Sequence, residues 1–333
     1  VEDTLRKNPD AKAVLIINPT YYGVAADIKK IADIVHSYDI PLIVDEAHGP
    51  HLGFNDNLPM SAIEAGADMC SQSTHKIIGA LTQCSLLHVC SERIDINRVH
   101  QVLSLLQTTS PSYILMASLD CARRQIALHG EELLNKSIEL SNYLRYEINR
   151  IKGFYCFGEE ILGNEGVAAL DPTKITINCR ELGITGYDLD MILSNKYHIQ
   201  MELSDLYNVL AVGSFGDTKE AIDTLLHALR EISSEYYGKG TRKSDFLDIP
   251  AIPKQLIIPR TAFNSPKKSL LLKNSIGMIS GEFLMAYPPG IPILCPGEEI
   301  TKEIVDYVQR LKDTGLYVQG TEDPEVEYIK VVV

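Results

Sequence analysis

Tryptophan is absent from this 333-residue chain, and its seven cysteines are odd in number and contain no Cys-x-x-Cys pair. Such a set argues against a disulfide framework or a zinc site and fits reduced thiols, so we expect a cytoplasmic protein. No apolar run is long enough to span a membrane, and the first residues do not resemble a signal peptide. The cysteines are Cys70, Cys84, Cys90, Cys121, Cys156, Cys179 and Cys295.

A basic stripe is also missing. The formal net charge is −13 and the isoelectric point is about 5.2. A chain that neutralises nucleic-acid phosphates needs clustered lysine and arginine, so we expect no nucleic-acid partner. An acidic surface keeps a protein soluble and weakly favours a cationic ligand.

Short apolar runs alternate with helical patterns in the first third of the chain. This alternation predicts an α/β sheet with right-handed crossovers. The predicted strands are 13–17, 41–44, 68–71 and 81–89, and the predicted helices between them are 26–38 and 61–65.

The next segment, 93–151, is helical in pattern and is interrupted at 108–112, where Ser110 or Ser112 is a plausible N-cap. A second, small α/β unit follows, and the stretch 238–241 is the best linker candidate. We predict three domains, at 1–150, 151–240 and 241–333. The small unit has predicted strands at 173–178 and 208–212 and predicted helices at 187–195 and 218–236.

The most informative stretch runs from Ile43 to His88. One apolar strand ends at Asp45, and a second short strand leads into Ser73-Thr74-His75-Lys76. Ligands bind outside the carboxyl ends of strands in open α/β sheets, so these side chains should meet. An acid and a lysine at neighbouring strand ends suit pyridoxal 5′-phosphate (PLP), since the acid pairs with the pyridinium nitrogen and the lysine forms the Schiff base.

Two other interpretations compete with this one. A single lysine in a loop is usually just solvated, although its combination with Asp45 and His75 favours the cofactor. The stretch from Asp45 to His51 also offers four potential metal ligands. Catalytic zinc motifs place their histidines one turn apart on a helix, and Gly49-Pro50 breaks any helix here, so we expect no metal.

Four motifs follow one another along this stretch of the sequence: VDEAHGPH, LPMSAIEAGAD, QSTHK and ALTQCSLLH. On these motifs the chain resembles the Orn/Lys/Arg decarboxylase family of fold-type I PLP enzymes. The resemblance runs from Ala13 to the C-terminus, where Ser275–Gly277, Tyr287–Pro292 and Pro296–Glu298 also match. It implies part of a fold-type I large domain, a small α/β domain and the C-terminal decarboxylase domain.

By this resemblance the chain would decarboxylate lysine, arginine or ornithine to the amine. Lys76 would attach PLP, and Asp45 would pair with its ring nitrogen. Ala47 would pack on the ring face, and His48 would lie near the ring oxygen or the substrate carboxylate. Protonation of the substrate would come from His48, Lys76 or another subunit.

The resemblance also implies contacts with the cofactor phosphate. Ser73 and His75 resemble phosphate contacts. Thr109 and Ser110 would reach the phosphate of a partner subunit, because fold-type I sites lie at a homodimer interface. We therefore expect a homo-oligomer.

The distal cationic group of the substrate needs an acid. Glu202 or Asp205 in the small unit could supply it, although either could equally be an exposed acid in a turn. Arg180 is the residue that would instead favour an aminotransferase, since it could bind a second carboxylate.

In the family, a Gly/Ser/Thr-rich phosphate loop and a ring-stacking histidine lie upstream, and no Gly-rich turn precedes Ala13. We expect the chain to be truncated, incompletely described or cleaved from a separate N-terminal fragment that acts as its partner. Residues 1–333 alone should bind PLP poorly, which leaves a non-catalytic oligomerisation scaffold as an alternative.

Overall fold

The computed structural model describes residues 1–239, 249–286, 290–313 and 317–333. By their contacts the residues form two compact units, Val1–Arg242 and Lys243–Val333. The predicted linker residues Gly240 and Thr241, and the motif residues 287–289, lie outside the described residues. The predicted boundary between residues 150 and 151 stays a prediction.

The first unit is built from nine strands and seven α-helices in the part of it that is described, besides three single turns of 3-10 helix. In chain order they are α1 (Glu2–Lys7), β1 (Val14–Ile17), β2 (Val24–Ala25), α2 (Ile28–His36), β3 (Leu42–Asp45), β4 (Met69–Gln72), α3 (Thr74–Ile77), β5 (Leu86–Val89), α4 (Ile96–Leu106), α5 (Tyr113–Ile148), β6 (Ala169–Leu170), β7 (Lys174–Asn178), α6 (Gly186–Tyr197), β8 (Leu203–Ser204), β9 (Asn208–Val212) and α7 (Lys219–Tyr236).

The main sheet has the order β1-β3-β4-β5. Strands β1, β3 and β4 are parallel, as the alternation of strands and helices predicts. Asp27 is the N-cap of helix α2, and its side chain accepts a hydrogen bond from the Lys30 amide. Its buried Ile28, Ala32 and Val35 join the core on one face of this sheet.

One local prediction was partly confirmed and another was wrong. The strand predicted at 81–89 is present as β5 only from Leu86, and it runs antiparallel to β4, because the four-residue helix α3 is too short to carry the chain back along the sheet for a parallel crossover. The predicted helix 61–65 is a hydrogen-bonded turn, since Gly66 ends it with φ at +90°.

The helical prediction after residue 93 was confirmed, with its interruption. Helices α4 and α5 flank the turn, and the Ser112 hydroxyl accepts a hydrogen bond from the Leu115 amide at the start of α5. Helix α5 is 36 residues long and packs against α7. Both helices cover the antiparallel sheet β7-β9-β8, and Leu144, Ile177 and Leu229 are among the fully buried or nearly fully buried residues of that core.

The described residues of the second unit form two small antiparallel sheets, β10-β14 and β12-β11-β13. Helix α9 buries Ile304, Val305, Val308 and Leu311 in this unit. Its elements are α8 (Pro259–Asn264), β10 (Lys267–Leu271), β11 (Leu284–Ala286), β12 (Ile291–Leu294), α9 (Lys302–Asp313), β13 (Val318–Gln319) and β14 (Tyr328–Val332). In the described ranges of both units, no helix is long and apolar enough to cross a membrane.

Candidate active site

The carboxyl ends of three parallel strands bring the predicted chemistry to one edge of the main sheet. Asp45 is in register with Ile17 of β1 and with Ser71 of β4. The Asn18 amide donates to the Asp45 carbonyl at 3.0 Å, and the Glu46 amide donates to the Ser71 carbonyl at 2.9 Å. This pairing places Asp45 beside the segment that leads into Lys76.

Lys76 lies in α3 with its amine against two aromatic rings. Its Nζ is 2.8 Å from His48 Nε2 and 5.4 Å from the centroid of the Tyr21 ring. The rings of Tyr21 and His48 pack on each other at 3.9 Å between centroids. Burial lowers the pKa of Lys76, and Lys174 adds to this effect, while Asp45 and Glu202 oppose it. A lysine whose pKa is lowered is a better nucleophile near neutral pH.

His48 is buried and neutral. Burial and the positive charges of Lys76 and Lys174 lower its pKa to about 3. A neutral imidazole can accept a hydrogen bond from the lysine amine at Nε2, as the distance allows. The structure therefore brings together Lys76 and His48, two of the three predicted catalytic residues, in one direct contact.

Asp45 and Asn18 supply the polar groups next to this pair. Asp45 Oδ1 accepts a hydrogen bond from the Ala47 amide at 3.0 Å, and the other carboxylate oxygen has acceptor capacity for a ring N–H. Asn18 is buried and its Oδ1 accepts from the Ala26 amide, which leaves its Nδ2 donor without a protein partner. Buried donors without a partner are uncommon in folded proteins, and this one belongs to the residue that follows β1, at the same sheet edge as Asp45.

The predicted phosphate contacts are less complete. The Ser73 hydroxyl does not cap α3, so it is not used by the helix. His75 Nδ1 donates to the Cys84 carbonyl at 2.7 Å, which leaves Nε2 for another partner. Thr109 and Ser110 are exposed in the turn between α4 and α5, and their predicted role across a subunit interface stays a prediction.

The two predicted substrate acids differ in their surroundings. Glu202 Oε1 accepts a hydrogen bond from the Tyr21 hydroxyl at 3.0 Å, and its charge acts on Lys76. Asp205 accepts from the Tyr22 hydroxyl at 2.7 Å and from the amides of Tyr207 and Asn208 in its own turn. Glu202 therefore belongs to the Lys76 site, whereas the Asp205 carboxylate stabilises its own turn.

The residue after Asp45, Glu46, is a buried acid. Glu46 is fully buried, and its oxygens accept from the Ala62 amide and from Gln72 Nε2, both at 2.6 Å. Gln72 Oε1 in turn lies 3.0 Å from His88 Nε2. Burial outweighs these hydrogen bonds and raises the pKa of Glu46 to about 7.

We expect the stability of the chain to fall as the pH rises through the titration of Glu46. The folded state binds the proton more tightly than the unfolded state, so stability is full below about pH 4.5 and is lost towards pH 7. The two pKa values correspond to roughly 3 kcal/mol of unfolding free energy. Glu46→Gln should remove this slope, measured as urea unfolding from acidic to neutral pH.

Glu139→Gln, on the exposed face of α5, is the matched control and should keep the wild-type pH dependence. Equal slopes in Glu46→Gln and the unmodified chain would contradict the assignment of the titration to Glu46.

His51 follows His48 by three residues and has a different partner. It is buried against Asp171 with 3.1 Å between Nε2 and Oδ2, next to Lys174. Over the described residues, no group of three or more histidine, cysteine, aspartate or glutamate side chains is arranged to hold a metal ion.

Two residues at this sheet edge and one buried contact near it were not identified from the sequence. Tyr21 and Asn18 lie just after β1, at the same sheet edge as Asp45, so the strand-end rule could have found them. The contact of His51 with Asp171 joins residues 120 positions apart, and no local pattern signals it.

Comparison with known proteins identifies the family of this site. The chain matches the model of the Orn/Lys/Arg decarboxylase major domain over residues 1–221 and that of the Orn/Lys/Arg decarboxylase C-terminal domain over residues 251–324. An arginine decarboxylase of Bacillus anthracis is 44% identical over 333 residues, which are 100% of this chain and 68% of the relative.

Two solved structures show the fold. The constitutive lysine decarboxylase of Escherichia coli superposes with a TM-score of 0.80 at 22% identity, over 99% of this chain and 60% of that one. An alanine–glyoxylate aminotransferase of Nostoc superposes with a TM-score of 0.55 at 19% identity, over 69% of this chain and 64% of that one. The predicted α/β fold of the fold-type I enzymes is confirmed, and the chain spans about 60% of the solved lysine decarboxylase. With family models matching most of its length and both of its units, this chain belongs to the Orn/Lys/Arg decarboxylase family.

Proposed function

We propose that this chain carries the PLP-dependent site that decarboxylates a basic amino acid, with arginine as the first candidate. The observation that carries the proposal is the contact of Lys76 with His48 at the strand end of Asp45, with Glu202 held alongside by Tyr21. The arginine decarboxylase relatives, at 44–46% identity, are nearer in sequence than the lysine decarboxylases at 23–26%. This difference favours arginine over lysine.

Each residue at the sheet edge has a task that its surroundings suit. PLP, when bound, supplies an electron sink for the negative charge left at the substrate Cα as CO₂ departs. Asp45 would hold a proton at the ring nitrogen, and the methyl group of Ala47 leaves room for the ring face. Lys76 Nζ would be the covalent attachment point. The pair of Lys76 Nζ and His48 Nε2 would return a proton to Cα.

The phosphate end of the cofactor would be held by Ser73 and by His75 Nε2, with Thr109 and Ser110 contributed by a second copy of the chain. Support for a second copy comes from the corner formed by α4 and α5. Large apolar side chains flank this turn and are strongly exposed, which is unusual for a surface that stays in water. They are Leu105 at 82%, Leu106 at 76%, Tyr113 at 80% and Ile114 at 74% exposure.

The distal guanidinium of arginine would pair with Glu202. Its carboxylate has one oxygen engaged by the Tyr21 hydroxyl and faces the Lys76 site, whereas Asp205 is occupied by its own turn. A carboxylate and a guanidinium form charge-assisted hydrogen bonds in a fixed geometry. We propose Glu202 as the residue that selects a cationic side chain.

Glu202→Gln is expected to raise the KM for arginine by about 10-fold to 100-fold, since a hydrogen bond to a charged group contributes roughly 1.5–3 kcal/mol. The amide can still accept from Tyr21, so kcat should change less than KM. Steady-state release of CO₂ as a function of arginine concentration measures both. Glu181→Gln, an exposed acid of the small sheet region, should leave KM unchanged, and an unchanged KM in Glu202→Gln would exclude the pairing.

Two other functions compete. An aminotransferase would need a carboxylate-binding arginine, and the Arg180 guanidinium lies over the ring of Tyr207 at 5.1 Å in the small sheet region. A scaffold without activity is the other candidate, because this chain spans 68% of the Bacillus anthracis arginine decarboxylase and 60% of the solved lysine decarboxylase.

One assay separates these functions. The chain is incubated with PLP and arginine, lysine or ornithine, with and without the first third of the Bacillus anthracis relative as a separate polypeptide, and CO₂, amine and keto acid are measured. Amine with CO₂ supports the proposal, keto acid supports the aminotransferase, and no product in either mixture supports the scaffold. A cytoplasmic location is part of the proposal and is supported by seven unpaired cysteines.

A further inference from the structure

Three ionisable side chains form a fully buried cluster that the proposed chemistry does not use. Asp171 Oδ2 accepts from Lys174 Nζ at 2.9 Å and lies 3.1 Å from His51 Nε2. Its Oδ1 accepts from the amide and the hydroxyl of Thr173. The side chains of His51, Asp171 and Lys174 are each 0% exposed.

Stability alone is a poor explanation for this cluster. Removing two charges from water costs several kcal/mol per ion, and well-packed apolar replacements are often neutral or stabilising. Asp171 and Lys174 form a buried ion pair, and burial lowers the pKa of His51 beside it. A buried ion pair of this kind near a reactive site is a candidate for a functional role.

The cluster connects the two segments that carry the rings beside Lys76. His51 follows His48 by three residues, so its anchoring to Asp171 fixes the loop of His48. Gly23 follows Tyr21 by two residues, and its carbonyl accepts a hydrogen bond from the Asp171 amide at 2.8 Å. Gly23 has φ at +85°, and a Cβ there would lie 2.8 Å from Lys174 Cβ, so the turn packs directly on the lysine stem.

We propose that the cluster of Lys174, Asp171 and His51 is a positioning element for Lys76, which holds the His48 and Tyr21 rings against the lysine amine and places a fixed positive charge behind them. This inference rests on the proposed role of Lys76 as the attachment point.

The charges around Lys76 give the cluster a measurable consequence. The Lys174 ammonium lowers the pKa of both Lys76 and His48. Asp171 opposes it at His48 but with a smaller effect. The other groups that face Lys76 are Asp45, Glu202 and neutral His48, and the two acids raise its pKa. Lys174 is thus the fixed cation that favours the neutral, nucleophilic amine.

The test measures the reactivity of Lys76 in the full chain without cofactor. Trace acylation followed by peptide mass spectrometry gives the neutral-amine fraction of Lys76 against pH. Lys174→Met should lower acylation near neutral pH about three-fold, equivalent to a rise of roughly half a pKa unit. Lys174→Arg keeps the charge and should restore acylation to within about two-fold. Lys29→Met, a surface lysine paired with Asp33, is the control.

A second variant protects the test against misfolding. Lys174→Met leaves Asp171 unpaired, so Asp171→Asn with Lys174→Met removes both charges together. This double variant should fold by circular dichroism and lower acylation of Lys76 at least three-fold. Unchanged acylation in a folded double variant, or an unfolded double variant, would reduce the cluster to a structural role and overturn the inference. Because no cofactor or substrate is present, this result is independent of whether the chain decarboxylates arginine.

Discussion

Replacing Lys76 with alanine is expected to abolish covalent attachment of PLP and all turnover. Among the described side chains with a contact to His48, Lys76 is the one that carries a primary amine, the group that a Schiff base requires, so the Tyr21 hydroxyl there cannot take its place. The measurement is the intact mass after incubation with PLP and borohydride reduction. The unmodified chain should gain one phosphopyridoxyl group, on the peptide that contains Lys76, and Lys76→Ala should gain none.

Lys29→Ala is the matched control, because this lysine is exposed on α2 and pairs with Asp33. It should leave the mass gain and the turnover unchanged. A site-specific adduct that persists in Lys76→Ala would remove Lys76 from the proposed role. The preparation used should be the one that gives turnover, with or without the added segment from the relative.

The central parts of the fold could be predicted from the sequence, because they depend on local patterns. The apolar runs that became β1 and most of β3 are continuous, and the helical spacing of α2 and α5 is long enough to be unambiguous. The direction of strand β5 could not be predicted. It depends on how much chain lies between β5 and β4 and not on the residues of β5 itself. The helix predicted at 61–65 was wrong for a similar reason. The positive φ of a single glycine, Gly66, ends the segment as a turn.

The same distinction applies to the candidate site. Asp45 and Lys76 could be identified because strand ends and motif order are visible in one dimension. The preference for Glu202 over Asp205 could not, since it rests on which tyrosine hydroxyl each acid meets across 181 and 183 residues. Buried pairs such as His51 with Asp171 are set by packing of distant segments, so only the folded chain reveals them.

Asp45→Asn is expected to separate attachment from turnover. The asparagine oxygen can still accept from the Ala47 amide, so the local fold should persist while the negative charge is lost. Asp45 raises the pKa of Lys76, so its neutralisation should leave the lysine at least as reactive, and the mass gain after borohydride should be retained. The ring nitrogen would then lack its charged partner. Loss of one preorganised electrostatic contact lowers kcat by about 100-fold to 1000-fold.

Comparison with Lys76→Ala, which should lose both attachment and turnover, separates these two properties. Single-turnover release of CO₂ measures the chemical step, and the reduced mass measures attachment in the same sample. Asp56→Asn, an exposed aspartate beyond the same loop, is the control and should change neither. If Asp45→Asn lost attachment together with turnover, the carboxylate would be holding the fold around Lys76. If it lost neither, the ring nitrogen would have another partner. Retained attachment with slow CO₂ release is the outcome that places the Asp45 charge in the reaction itself.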